Sequence, residues 1–173
     1  MSTIDTATVV GADTSTAGVR PVPDNYPQIV PYLCVDGAIA AIAFYCTVFG
    51  ATERMRIAEP DGRLGHAELE FGATVIMLSD EFRELGVLAP PTIGGTPVTL
   101  HVYVEDVDDV FRRAIDAGVT VLSPVEDQFY GDRTGRFEDP FGHRWSVATH
   151  VEDVSTQDMV LRAGTAPGQE SGS

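Results

Sequence analysis

Residues 96–150 read TPVTLHVYVEDVDDVFRRAIDAGVTVLSPVEDQFYGDRTGRFEDPFGHRWSVATH, and this stretch decides the fold. Val98, Leu100, Val102 and Val104 alternate with Thr99, His101 and Tyr103, the period-2 pattern of a strand with one face on a core. Asp106 stands where a helix N-cap is wanted, with Asp108 and Asp109 in the first turn. Val107, Val110, Phe111 and Ala114 then fall at i, i+3, i+4 and i+7, an amphipathic stripe that Gly118 terminates. Three further strands follow, at 119–122, around 133–138 and at 144–149, the last two joined by the turn Asp139-Pro140-Phe141-Gly142. The unit is βαβββ.

A weaker copy lies upstream. A strand at 30–35 leads to a helix at 38–49 capped by Gly50, and strands follow at 52–58, 65–71 and 74–78. Val35 answers Val104 at an offset of 69, Gly50 answers Gly118 one residue short, and Phe71-Gly72 answers Phe141-Gly142. A tandem βαβββ repeat predicts an α+β protein whose two half-sheets share a core or a ligand cleft.

The rest of the chain is organised around that repeat. Residues 1–24, rich in Ser, Thr, Ala and Gly and ending near Pro21-Val22-Pro23, read as a disordered leader. The folded unit runs over 25–153, with module one at 28–82, a crossover at 83–95 and module two at 96–153. Pro90-Pro91 and Gly94-Gly95 break regular structure in the crossover. Ser155-Thr156-Gln157-Asp158 has the form of a capping box, so 154–173 reads as a short helix followed by a disordered tail. The first helix, AIAAIAFYCTVF, is apolar almost all round. It asks for a second burial partner, most simply another subunit in a homodimer, although alanine is also a good helix former.

Composition narrows the function classes. The chain of 173 residues carries 26 acidic and 11 basic residues, every basic one an Arg, for a net charge of −15. Nucleic acid and anionic membrane surfaces are therefore disfavoured as partners, because phosphate contacts need clustered cations. A cationic ligand is permitted, though solubility explains the charge as well. Cys34 and Cys46 lack metal-site spacing and do not make a disulfide framework, which points to a reducing cytoplasm. No apolar run has the roughly 20 residues of a membrane span.

With these residues laid out, the chain resembles the vicinal oxygen chelate superfamily of glyoxalase I, bleomycin- and fosfomycin-resistance proteins and extradiol dioxygenases, and within it the PhnB-like branch. The resemblance is carried by Pro31-Tyr32-Leu33, Phe49-Gly50-Ala51, His66-Ala67-Glu68-Leu69, Met77-Leu78-Ser79-Asp80, Gly94-Gly95-Thr96-Pro97, His101-Val102-Tyr103-Val104, Gln128-Phe129-Tyr130-Gly131-Asp132-Arg133 and Asp139-Pro140-Phe141-Gly142-His143. It implies two modules forming a U-shaped, mostly antiparallel mixed sheet, with helices on the convex face and the ligand on the concave one. It also implies four metal-ligand positions, which fall here on Val30, Met77, Thr99 and Ser146. None is a competent ligand for an ordinary divalent ion, so no metal or other cofactor is expected there. A displaced site from His66, Glu68 and His101 is conceivable.

Alternation assigns the remaining candidates. His66 and Glu68 share a strand face and read either as a hydrogen-bonded pair pinning strands or as a general acid/base couple. His101, Tyr103, Tyr130, Asp132, Arg133 and Arg144, with Tyr32 and Met77, are the expected ligand-binding set of a shared cleft. Trp145 reads as core and His143 as surface. The function expected is metal-independent binding of a small organic molecule, with a resistance or sequestration role. The rivals are a lyase or isomerase that transfers protons through His66 and Glu68, and an interaction domain without a ligand.

Overall fold

The computed structural model describes residues 20–164. Most of the expected leader and the expected C-terminal tail lie outside them. The order is β1 (Tyr32–Val35), α1 (Ala38–Phe49), β2 (Thr52–Ala58), β3 (Leu64–Phe71), β4 (Thr74–Asp80), a 3-10 turn (Arg83–Leu85) and α2 (Pro90–Ile93). Module two follows with β5 (Thr99–Tyr103), α3 (Val107–Asp116), β6 (Thr120–Asp127), β7 (Asp132–Glu138), β8 (Arg144–His150) and α4 (Thr156–Ala163). The strands form two four-stranded sheets, ordered β1-β4-β3-β2 and β5-β8-β7-β6. In each, the first strand pairs parallel with the last and the other pairs are antiparallel. This is the α+β tandem repeat that the periodicity implies.

The helix starts are chemically different in the two modules. Asp106 caps α3 from within, its side chain accepting from the Asp109 backbone N–H at 3.0 Å. The α1 start has only Gly37 in front of it, in a left-handed conformation at φ 97°. Its cap comes from Asp80 at the end of β4, whose carboxylate accepts from the backbone N–H groups of Gly37 (3.0 Å) and Ala38 (2.8 Å), and from Leu64 at 2.6 Å. One buried carboxylate thus ties α1, β3 and β4 together. Pro90 and Pro91 sit in the first turn of α2, where a missing N–H is tolerated, so a short helix survives in the crossover between the two breakers.

The second burial partner of α1 is module two of the same chain. Ala38, Ala41, Ile42, Phe44, Tyr45 and Val48 are all buried. One core cluster runs through both modules, joining these residues to Val107, Val110, Phe111, Phe137 and Trp145. Trp145 is 1% exposed, with Phe49, Tyr45 and Phe71 at centroid distances of 4.6, 5.5 and 6.1 Å. Asp139 closes the junction. It accepts from Tyr45 Oη at 2.8 Å, Trp145 Nε1 at 2.9 Å, and the backbone N–H groups of Phe141 and His143 at 2.9 Å each. Most of the apolar surface of α1 is therefore covered within the chain, while Ile39, Ala40 and Ala43 stay exposed. His143 is corrected: its Nε2 lies 3.0 Å from the Cys34 carbonyl, bracing the turn before β8 against β1.

Because the helix-bearing faces meet in this core, the faces turned away from the helices are separate. Among the described residues, no hydrogen bond, ion pair or ring contact joins the open face of one sheet to that of the other. The expectation of one cleft shared by both halves is corrected for the single chain. Among the described residues, no helix is long and apolar enough to cross a membrane.

Candidate functional site

The open face of module one is built on a row of cross-strand neighbours. Tyr32 on β1 is in register with Met77 on β4, and Met77 with Glu68 on β3. Side chains in one row point the same way, so three of the expected site residues stand abreast. His66, two residues before Glu68, completes the patch: its Nε2 is 3.3 Å from Glu68 Oε1 and its Nδ1 is 3.0 Å from Tyr32 Oη.

Glu68 is only 4% exposed, and a carboxylate so placed must be compensated. Tyr26 donates to it at 2.7 Å, and Arg54 lies 3.6 Å away with its guanidinium over the Tyr26 ring. The Tyr26 hydrogen bond, helped by His66 and Arg54, outweighs burial and holds the Glu68 carboxyl below its ordinary range. Tyr26 and Arg54 were not expected here. Tyr26 lies in the aperiodic lead-in, and Arg54 reaches this face past a bulge between Glu53 and Met55.

Beside Tyr32 a cavity of about 720 Å³ opens. Its apolar wall comes from the crossover, through Phe82, Leu85 and Val87, and its other side from Gly65, Ser79 and the β2–β3 turn. The turn carries Arg63, whose guanidinium stacks 4.1 Å above the Phe82 ring. The same guanidinium pairs with Asp61 and with Glu84 at 2.7 Å each and donates to the Glu81 carbonyl at 3.1 Å.

Module two repeats the row with other chemistry. His101 on β5 is abreast of Ser146 on β8, and Ser146 of Arg136 on β7. His101 Nδ1 is 3.0 Å from Ser146 Oγ, and the His101 ring meets Tyr103 edge to face at 4.9 Å. Tyr103 donates to Asp132 at 2.8 Å, and His150 Nδ1 lies 2.8 Å from the other carboxylate oxygen. Burial pushes the Asp132 carboxyl up, but the bonds from His150 and Tyr103 prevail and keep it low. His150 is raised by Asp153 and Asp132, and Tyr103 by the Asp132 carboxylate. A smaller polar cavity of about 400 Å³ lies beside Tyr130, Arg136 and Ser146.

The expected set is thus divided. Tyr32, His66, Glu68 and Met77 are together on module one, while His101, Tyr103, Tyr130 and Asp132 belong to module two. Arg144 is on module two's open face as well, paired with Glu138 at 3.2 Å. Arg133 is corrected: it projects to the helix side, with Asp108 of α3 gripping it through two 2.8 Å bonds and Asp127 at 3.0 Å. Parity dictates this, because Phe137, four residues on, is fully buried in the core.

The metal positions of the fold do not fit an ion. Val30 and Met77 belong to module one, Thr99 and Ser146 to module two, and the Ser146 hydroxyl is engaged by His101. His66, Glu68 and His101 do not converge, since His101 lies on the other sheet. Among the described residues, no three His, Cys, Asp or Glu side chains are grouped to hold a metal.

Comparison with known proteins gives this architecture its family. The model of the Glyoxalase/Bleomycin resistance protein/Dioxygenase superfamily matches residues 26–147, and the chain belongs to that superfamily. An uncharacterized protein of Mycobacterium bovis is 43% identical over 136 residues, covering 77% of this chain and 90% of that one. Among solved structures, TioX from Micromonospora sp. ML1 aligns with a TM-score of 0.57 at 28% identity, over 72% of this chain and 99% of its own. A PhnB protein from Bacillus cereus aligns with a TM-score of 0.56 at 19% identity, over 71% and 99%, a likeness of fold.

Proposed function

We propose that this protein binds a small organic molecule on the open face of module one, without a metal ion, in a sequestration or resistance role. The observation that carries the reading is the 720 Å³ cavity beside Tyr32, which joins an apolar wall to a few oriented polar groups, as small-molecule sites do. A second copy of the chain completes the cleft in this reading. Module one's face exposes Tyr32, Met55 and Ile57 and carries Glu68 and Glu70; module two's exposes Tyr103 and carries Arg136. Arg136 has no hydrogen bond or ion pair among the described residues, so a partner's module-two face brings an unpaired cation to a face on which Glu68 and Glu70 share one, Arg54.

The test is a thermal-shift screen of tag-free protein against a metabolite and antibiotic panel, repeated with Tyr32→Ala. Hits that raise the melting temperature of wild type and are weakened about tenfold by the substitution are expected. Chelator is expected to leave the melting temperature unchanged, and light scattering at tens of micromolar, on the order of the weaker affinities that sustain association, to give a dimer. A panel without a hit, or hits indifferent to Tyr32, refutes the binding site.

The His66–Glu68 contact favours one second reading, proton transfer on the bound molecule. Glu68, held ionised below its ordinary range, is a weak base itself and in this reading orients His66, which takes the proton. Glu68→Gln separates the two readings: a binder keeps its affinity and has no turnover to lose, whereas an enzyme loses turnover at near-constant affinity.

A further inference from the structure

We infer that the ligand of the module-one cavity is a cation: a planar or aromatic body carrying a protonated nitrogen, with Glu59 as its counter-ion. The inference rests on the binding reading above and adds the chemical class. Four observations support it.

First, the cavity wall of Phe82, Leu85, Val87 and Tyr32 is apolar and partly aromatic, and suits a flat apolar body. Second, the ionisable groups at the cavity are Glu59, Asp61 and Glu84 against Arg63 alone, a local charge of −2 within a chain of −15. Third, Arg63 is spent. Its guanidinium is held by Asp61, Glu84, the Glu81 carbonyl and the Phe82 ring, so it offers no free face to an anion. Fourth, Glu59 is free. Its side chain makes no hydrogen bond or ion pair among the described residues, although its backbone closes the β2–β3 turn with Arg63 at 2.7 Å.

The sequence provides for the position of that carboxylate. A Cβ at residue 65 would stand 2.4 Å from Glu59 Oε1, so the Glu59 side chain lies where only glycine leaves room. Gly65 does not have a positive φ, so no backbone strain demands glycine there. The space it leaves is occupied by the carboxylate at the cavity wall. A cation seated against Tyr32 also gains from its ring face.

The experiment compares two probes of one shape and opposite charge, 9-aminoacridine, protonated at neutral pH, and acridine-9-carboxylate. Each is titrated with the full chain by fluorescence polarisation at low and moderate salt. The cation is expected to bind, and more weakly as salt rises. Glu59→Gln and Gly65→Ala are each expected to weaken it about tenfold, the first by removing the charge and the second by displacing it. Gly65→Ala meets only the end of a flexible side chain, so the fold is retained. Leu85→Ser, at an exposed position on the apolar wall, is expected to weaken both probes. Should the carboxylate bind as tightly as the amine and both respond to Leu85→Ser, the charge preference is overturned while small-molecule binding stands. Cation binding indifferent to Glu59→Gln and Gly65→Ala overturns the counter-ion, and no binding of either probe overturns both readings.

Discussion

The two modules present the same row of three cross-strand residues and put opposite chemistry in it. Module one has Tyr32, Met77 and Glu68; module two has His101, Ser146 and Arg136. The surroundings differ as much. The crossover gives module one's cavity an apolar wall of Phe82, Leu85 and Val87, whereas at the same end of module two a cavity of about 960 Å³ borders polar groups that are bonded to one another, Tyr103 and His150 on Asp132. A repeated fold fixes where side chains point. What a face can hold is set by the segments that are not repeated.

The largest effect is expected where module two's network is broken. Asp132 is 5% exposed and is bonded to Tyr103 and His150 at 2.8 Å each. Asp132→Ala leaves Tyr103 without its acceptor and His150 with Asp153 alone, and should lower stability by about 1–3 kcal/mol in urea unfolding. His66→Ala on module one removes a partly exposed ring that touches Glu68 at 3.3 Å and the exposed Tyr32 hydroxyl at 3.0 Å, and Glu68 keeps Tyr26 and Arg54, so its cost should be clearly smaller. Equal costs would mean that the two faces are equally structural and that module one is not reserved for a ligand.

A smaller effect sharpens the same contrast. Arg133→Ala should leave the affinity of any cleft ligand at its wild-type value, because the guanidinium is held by Asp108 and Asp127 on the helix side. Only a slight loss of stability is expected, since exposed ion pairs contribute little. A loss of ligand affinity in competition titrations would return Arg133 to the cleft.

Arg133 also shows what was legible in the sequence. The repeat, the bounds of α1, the Asp106 and Ser155 caps and the alternation in β5 all follow from local rules, and all are present. The face of Arg133 was legible too, by counting back from Phe137, but the loop-like Tyr130-Gly131 obscured the phase. Tyr26 was not legible: it meets Glu68 across 42 residues from a segment without periodicity. Nor does helix apolarity say whose surface covers it. The sequence of α1 demands a second partner, and only packing reveals that Trp145 and Phe137 of the same chain supply it.

The smallest expected effect is a dependence on pH, and it belongs to module two. His150 lies between Asp132 at 2.8 Å and Asp153 at 3.0 Å, and both carboxylates favour its charged form. Its pKa in the folded chain is therefore raised above its ordinary value of 6.5, with the Asp153 bond the largest cause. A group raised on folding binds its proton more tightly in the native state, so its contribution is complete below the ordinary value and is lost as pH rises through the raised one. Wild type should thus lose stability relative to His150→Gln over the window that opens at about 6.5 and extends upward, while below it the difference stays constant. Its ring is about half exposed, so solvent screening keeps the effect modest. Parallel melting-temperature profiles of the two proteins across that window measure it. Identical slopes for wild type and His150→Gln would mean that the carboxylates do not hold the imidazolium, and that module two's face is less tightly closed than its geometry indicates.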